Sequence, residues 1–503
     1  MNPIRHITIV GGGTAGWIAA AVLSNQFSRE EVAVELVESE EIGTIGVGES
    51  TIPPFLELLQ SLNIDEQDFI RKTNASFKLG IEFSDWRRQG ESYFHPFGAI
   101  SANMDEYVFY QNWLKSCQQG DDFALQDFSP CSLMARHRRF VLPQGAERTP
   151  VSEARYALHL DASLAARYLR NYAEARGVRR TEGKVLEVRQ RDDGFIDSLV
   201  LEDGRERRAD FFIDCTGFRA LLLGQTLGSE YIDWSEYLPC DRAIAVQTEN
   251  TEPPPPYTRA IAQAAGWSWK IPLQHRTGNG YVYASDFCSD QQAMDTLMAQ
   301  LDGKALTDPR VIPFQTGVRR EPWKGNCLGL GLASGFIEPL ESTAIHLVVR
   351  GMVHLIQHFP ERNCQPALMR EYNRRMGLEY EEIRDFIVLH YCLTERDDTA
   401  FWRYCREMLW PQTLRETVDY FRVQGGVPES IEPLFSVASW RSVCEGMGLR
   451  PASHSPLVNS FDYATTRNHL ANYRRALQDF IQQLPRHEDF IAKHCAAAEI
   501  APA

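Results

Sequence analysis

The chain has 503 residues, enough for a large core or two modules. Hydrophobic residues make up 44% and charged residues 24%, an ordinary globular composition that excludes a disordered chain. The formal net charge of −15 weighs against sequence-independent nucleic-acid binding, which relies on basic patches.

The N-terminal apolar run ends in glycines too soon for a signal-peptide core. No uninterrupted apolar stretch reaches membrane length. The 11 cysteines are scattered, with no CxxC pair and no zinc spacing, so we expect no metal site, a reducing compartment and a cytoplasmic location.

Taken in chain order, "HITIV" (His6–Val10) is a short strand. "GGGTAG" follows, then an apolar helical pattern through Leu23 and a second strand in "VAVELVE" (Val32–Glu38). Gly11, Gly13 and Gly16 have the G-x-G-x-x-G spacing, and the acid Glu38 closes the second strand. The glycines allow a tight turn, the helix start supports a pyrophosphate, and Glu38 can accept from ribose hydroxyls. The unit binds a dinucleotide, without choosing NAD over FAD.

"SFKLGIEFSDW" alternates, with Phe77, Leu79, Ile81 and Phe83 on one face and Lys78, Gly80, Glu82 and Ser84 on the other. Alternation alone makes Lys78 a solvated edge charge. In "SYFHPFG", His95 and Phe97 could form one wall of an aromatic pocket, although from the residues alone a packed core turn is the better reading. "ARYLRNYAEARG" reads as a helix ending at Gly177, and "KVLEVRQ" and "GFIDSLVLED" as a hairpin through Asp193-Gly194. "ADFFIDCTGF" is a buried strand entering a glycine turn at Gly217, and "EPPPPY" is a loop.

In "GWSWKIP", a strand puts Trp267, Trp269 and Ile271 on one face and Ser268 and Lys270 on the other, so Lys270 does not stand between the indoles. "GLGLASGFIEPLESTAIHLV" (Gly329–Val348) runs from a glycine-rich loop through Pro339 into an apolar helix, whose free N–H groups form an anion-friendly end or an ordinary capped start. From about Gln365 onward the pattern is helical. There is no internal repeat and no low-complexity linker.

These motifs, "GGGTAGW", "GVGESTIPP", "NASFKLGIEF", "HPFG", "IDCTGF", "GWSWKIP" and "GFIEPLESTAIH", together resemble the flavin-dependent halogenases of the tryptophan halogenase family. The resemblance spans roughly residues 5 to 350. It implies an α/β, Rossmann-type FAD-binding fold of the flavin monooxygenase type with α+β insertions. Residues 1–360 would form the FAD module with interleaved substrate-site β-structure, and 361–503 a mainly helical module packed over the substrate site.

In such an enzyme FADH2 and oxygen form a flavin hydroperoxide, which oxidises chloride or bromide to hypohalous acid. A tunnel carries that acid to a lysine, which delivers the halogen to an aromatic carbon. The resemblance assigns catalysis to Lys78 and Glu341, as an ammonium–carboxylate pair. It assigns FAD contacts to Gly11, Gly13, Thr14, Ala15, Gly16, Glu38, Gly48, Glu49, Ser50, Gly217, Gly331 and Ile337. Halide falls to Thr343 and Ala344, the tunnel to Trp267, Trp269 and Pro339, and the substrate to His95, Pro96, Phe97, Ser342 and Trp440.

The chain departs from the family pattern in two places. Ala344 stands where the family commonly has glycine. The stretch Pro433–Pro451 lacks the tyrosine pair with which tryptophan-specific members grip the amino acid, so an indole-like arene other than free tryptophan is expected. A single dinucleotide fingerprint implies a separate NAD(P)H-dependent flavin reductase; a homodimer is compatible. Two alternatives stay open: an aromatic hydroxylase of the same fold, and a flavin-binding protein without catalysis.

Overall fold

Strand His6–Val10 leads through the glycine turn into helix Thr14–Gln26, and strand Ala33–Glu38 returns parallel beside it. The protein is seen here as a computed structural model that describes residues 2–41, 48–143, 146, 148–429 and 433–497. Phe211–Asp214 pairs with the other side of the first strand, also parallel, and Cys327–Gly329 pairs in turn with it. Arg179–Glu182 and the short Trp323–Lys324 complete a six-stranded sheet. Its inner strands, such as residues 7–10 and Phe211–Asp214, are buried on both faces, which is why they read as continuous apolar runs. Gly11 has φ +111°, and a Cβ there would lie 2.2 Å from the carbonyl oxygen of Cys215. Glycine is what lets the late strand end against the nucleotide turn.

A seven-stranded sheet lies beyond, in the order Arg310–Pro313, Arg242–Thr248, Thr277–Tyr283, Gly266–Pro272, Thr258–Gln263, Gly80–Ser84, Ser92–Pro96. "GWSWKIP" is one of its interior strands, and Lys270 turns away from the tryptophans to pair with Asp302. The antiparallel partner supplies Gly280 opposite Trp269. A Cβ at Gly280 would lie 2.0 Å from that indole, so the large ring fits because its neighbour has no side chain.

The run from Phe77 to Phe83 is not the single strand its alternation predicts. Ser76–Lys78 pairs with Ala157–Asp161, in a separate three-stranded sheet completed by Gly48–Ser50. Gly80–Ser84 joins the seven-stranded sheet instead. The backbone changes partners at Leu79, whose N–H donates to Pro256 (2.7 Å) and whose carbonyl accepts from Phe97 (2.9 Å). Alternation cannot report which sheet each half joins, and this change of sheet carries Lys78 into the interior rather than to an edge.

After residue 336 the described chain is helical. Helix Ala344–Gln357 packs on the nucleotide module, and the 27-residue helix Pro366–Cys392 runs through the core. Helix Val437–Gly446 lies on strand Ser92–Pro96. Ile9, Phe83, Trp267, Phe386 and Trp440 belong to one contiguous hydrophobic core, so the helical part is not a separately cored appendage. All 11 cysteines are free. Among the described residues no helix is long and apolar enough to cross a membrane.

The last helix, His487–His494, is pinned by a buried imidazole. His487 Nδ1 donates to Pro254 O (2.7 Å), and its Nε2 accepts the Phe77 N–H (3.3 Å). Burial pulls its pKa down to about 4, so the ring is neutral at neutral pH and serves both contacts. His487→Phe keeps the volume but orphans a buried N–H and a carbonyl. We expect a loss of about 1–3 kcal/mol, read from urea unfolding at neutral pH; an unchanged midpoint would contradict this anchoring.

Candidate active site

One cavity of about 930 Å³ runs from the glycine turn to the start of helix Ala344–Gln357. Gly11, Gly13, Thr14, Ala15, Glu38, Glu49, Ser50, Gly217, Gly331 and Ile337 line one part of it, and Trp267, Trp269, Pro339, Ser342 and Ala344 another. Gly16 is not among its lining residues. A Cβ at Gly16 would lie 1.9 Å from the Gly11 carbonyl, so that glycine serves helix–strand packing instead of ligand contact. Gly46 and Val47 of the "GVGES" motif lie outside the described residues.

Helix Thr14–Gln26 opens on the cavity with no side-chain cap and no acid in its first turn, leaving its N–H groups for an anion. Glu38 is already half committed, since Oε1 accepts from Arg180 Nε at 2.5 Å. Among the described residues Glu49 Oε2 is buried without a hydrogen-bond partner. Burial, with Asp161 nearby, raises its carboxyl to about 7.

The tryptophans stand in the cavity wall with ring centroids 6.1 Å apart. Trp267 Nε1 donates to Glu338 Oε1 (3.1 Å), which also accepts the Tyr391 hydroxyl (2.5 Å). That carboxyl is buried, and burial raises it to about 7 against those two hydrogen bonds. Trp267 is therefore fixed from behind by a polar anchor.

Lys78 and Glu341 lie on the far side of Ser342 from the cavity, 0% and 1% exposed. The Lys78 ammonium donates to Thr51 O (3.1 Å) and Ser342 Oγ (3.0 Å), and sits over the Phe97 ring at 5.2 Å. Among the described residues Lys78 has no contact ion pair. The carboxylate acts on it only through space. Burial lowers the amine to about 7, and the attraction of Glu341 limits the fall.

Glu341 has other partners. His95 Nδ1 lies 3.0 Å from both carboxylate oxygens, and His390 Nε2 lies 3.1 Å from Oε1. Burial alone would raise this carboxyl; the two imidazoles outweigh it and hold it at about 2. His390 Nδ1 faces the Phe386 carbonyl (2.9 Å) and so carries a proton. Its Nε2 faces the carboxylate from the other side of the ring.

His95 spends Nδ1 on Glu341, and its Nε2 is buried without a partner. Its ring neighbours are Phe386 (5.5 Å) and Phe435 (6.3 Å), which stack on each other at 3.8 Å. Trp440 is one layer back, edge-on to Phe386 at 5.2 Å. Pro96 ends the strand that carries His95, opposite Gly80.

Ser342 adopts a left-handed conformation, φ +61°, between the short turn Pro339–Glu341 and the long helix. This strained hinge sends Glu341 toward the histidines and the Ser342 hydroxyl toward Lys78. Thr343 precedes the helix without capping it, and its Oγ1 is buried and unpartnered. Ala344 is open to the cavity.

Sequence reasoning missed Thr51, His390, Phe386 and Phe435. Phe386 and His390 are one turn apart in "FIVLHY", an i, i+4 pair readable as one helix face, but nothing local aims that face at residue 341.

The Lys78 amine falls from 10.5 to about 7 on folding. Between those values the unfolded chain holds a proton that the folded one does not, so folding stability rises with pH across that window and is lost as pH falls back toward 7. Lys78→Met removes this slope. Thermal unfolding from about pH 7 to about pH 10 should show wild type gaining on the variant as pH rises; parallel curves would refute the buried amine.

Comparison with known proteins identifies the family. The family model described as Tryptophan halogenase matches residues 6–463. Tryptophan 6-halogenase SttH of Streptomyces toxytricini is 34% identical, over 98% of this chain and 98% of its own. The solved structure of BrvH, a flavin-dependent halogenase from Brevundimonas sp. BAL3, superposes with a TM-score of 0.93 at 42% identity, covering 97% of this chain and 99% of that one. Xcc4156, a flavin-dependent halogenase from Xanthomonas campestris, superposes with a TM-score of 0.95 at 43% identity, covering 100% of both chains. The chain belongs to the tryptophan halogenase family and is a flavin-dependent halogenase.

Proposed function

We propose that the chain is a two-component, FADH2-dependent halogenase that uses Lys78 to deliver chlorine or bromine to an indole-like arene other than free tryptophan. A fully buried, hydrogen-bonded lysine beyond the inner wall of a cavity that begins at a dinucleotide turn carries this reading. The cavity residues fit FAD: the turn is closed to any Cβ at Gly11, the helix start beside it is uncapped, and Glu49 Oε2 awaits a donor. Gly11, Gly13, Thr14, Ala15, Glu38, Glu49, Ser50, Gly217, Gly331 and Ile337 would hold it. Reduced by a separate NAD(P)H-dependent reductase, it supplies hypohalous acid from oxygen and halide.

The chain's own residues confine and direct that acid. Trp267, Trp269 and Pro339 wall the passage and leave no room for a nicotinamide. The unpartnered Thr343 hydroxyl and the uncapped N–H groups at Ala344 offer donors to a halide ion. Ser342 forms the inner end of the passage and holds Lys78 Nζ at 3.0 Å. Lys78 binds hypohalous acid as a hydrogen-bond donor or as the haloamine, for which an amine near pKa 7 is suited. Glu341, kept ionised by His95 and His390, takes the ring proton once the halogen has bonded to carbon.

Residues 1–360 act as the FAD module with the substrate-site strands, and 361–503 as the helical cover. An apolar surround of Phe386, Phe435 and Trp440, in place of a tyrosine pair, favours a flat ring without an amino-acid backbone.

The protein, FAD, a flavin reductase, NADH and bromide or chloride, incubated with a panel of indoles and tryptophan, should give halogenated indoles by mass spectrometry. Lys78→Ala should cut product at least about a hundredfold with flavin reoxidation unchanged. Product surviving that change would mean attack by free hypohalous acid and would overturn the role of Lys78. Trp269→Ala should keep the reaction at reduced yield. Rapid bleaching of bound flavin by NAD(P)H alone would instead make the protein a hydroxylase.

A further inference from the structure

A row of polar side chains, of which the mechanism above uses only Ser50, crosses the three-stranded sheet beside Lys78. Ser50, His159 and Ser76 are register partners on its three strands. Ser76 Oγ donates to Pro272 O at 2.5 Å. His159 Nδ1 lies 3.2 Å from Ser76 Oγ, His159 Nε2 lies 2.8 Å from Thr258 Oγ1, and that oxygen lies 3.2 Å from Ser50 Oγ. His159 and Ser76 are wholly buried, whereas Ser50 and Thr258 line the cavity. The next carbonyl after Ser50, that of Thr51, holds the Lys78 ammonium.

The direction of every bond in this row follows from counting protons. A carbonyl only accepts, so the single hydroxyl proton of Ser76 goes to Pro272. His159 Nδ1 must then be the donor to Ser76. Burial, reinforced by Lys78 and His487, holds the His159 pKa well below its usual value, so the ring is neutral and Nε2 is bare. Thr258 therefore donates to Nε2, and Ser50 donates to Thr258. The proton of Ser50 is used up, and its oxygen turns only lone pairs to the cavity.

We infer that His159 is a positioning residue that sets Ser50 Oγ as a fixed hydrogen-bond acceptor in the cavity wall, for a neutral O–H or N–H donor and not for a halide ion. This inference rests on the halogenase reading for its choice of ligand. Two donors share the chemistry: hypohalous acid on its way to Ser342 and Lys78, and the N–H or hydroxyl groups of the flavin itself. A halide has no proton to offer and is repelled by oxygen lone pairs.

Selective histidine 15N labelling, with His159 assigned by its loss in His159→Gln, should show a neutral Nδ1–H ring unchanged from about pH 6 to about pH 9. An Nε2–H ring, or an imidazolium anywhere in that range, would overturn the proposal. Thr258→Val frees the Ser50 proton and reverses the polarity of that oxygen; Thr258→Ser keeps the row intact.

If the donor is flavin, the valine variant should bind FAD about tenfold more weakly with product per flavin reoxidised unchanged. If it is hypohalous acid, FAD affinity should stay within about twofold while product per flavin falls about tenfold and the loss is recovered in an external halogen trap. The serine variant should restore wild-type behaviour in either case. No change in either quantity for Thr258→Val would overturn the acceptor role. A wild-type protein that makes no halogenated product would sink the proposed function instead, and the nitrogen spectra and FAD affinities would still decide this one.

Discussion

The burial of the Glu341 charge is the constraint around which the rest is arranged. A carboxylate removed from water costs several kcal/mol unless charge and hydrogen bonds replace the solvent. The replacements come from distant parts of the chain: His95 from a strand of the seven-stranded sheet, and His390 from the helix Pro366–Cys392. The carboxylate itself hangs from a turn whose next residue, Ser342, must accept a left-handed backbone. Sheet, turn and helix are thus tied to one buried charge, and one core spans both proposed modules.

Lys78 and Glu341 are both fully buried, yet their surroundings push them in opposite directions. The lysine gains a carbonyl and a hydroxyl but no contacting charge, and its pKa drops to about 7. The glutamate gains two imidazoles and stays ionised, at about 2. Ionisable groups driven apart by environment fit the separate duties proposed for Lys78 and Glu341. Ser342 stands between them and the cavity, so the long space that begins at the glycine turn meets the ionisable centre through one hydroxyl.

The aromatic wall shows a different use of burial. Trp267 is held by Glu338, which Tyr391 also holds, and Trp269 fits because Gly280 faces it. Glu338 serves Trp267 as an anchor from behind the wall. The effect of the indoles is on shape, and the passage keeps that shape because its anchors lie in the strands and in the long helix.

How far the sequence could be read depended on the range of the interaction. Strand alternation placed Lys270 away from the indoles, because side-chain direction in a strand is set by its own backbone. The same rule misjudged Lys78, since the chain changes sheets at Leu79 and the pairing lies with Pro256, Phe97 and Ala157. His390 gave no signal, because its proton partner is Phe386 within the helix and its charge partner is 49 residues earlier, a meeting that only helix packing arranges.

The sequence by itself determined the nucleotide turn, the tryptophan strand, the helical C-terminal part and, through motif resemblance, the family, and it singled out Lys78 and Glu341 as candidates. These rest on local backbone geometry and on residues close in the chain. Tertiary structure alone decided that Lys78 is buried, that it bonds Thr51 and Ser342 and not Glu341, and that two histidines hold the carboxylate. Protonation and contact depend on what solvent is excluded and which distant atoms replace it, and no short stretch of sequence carries that information.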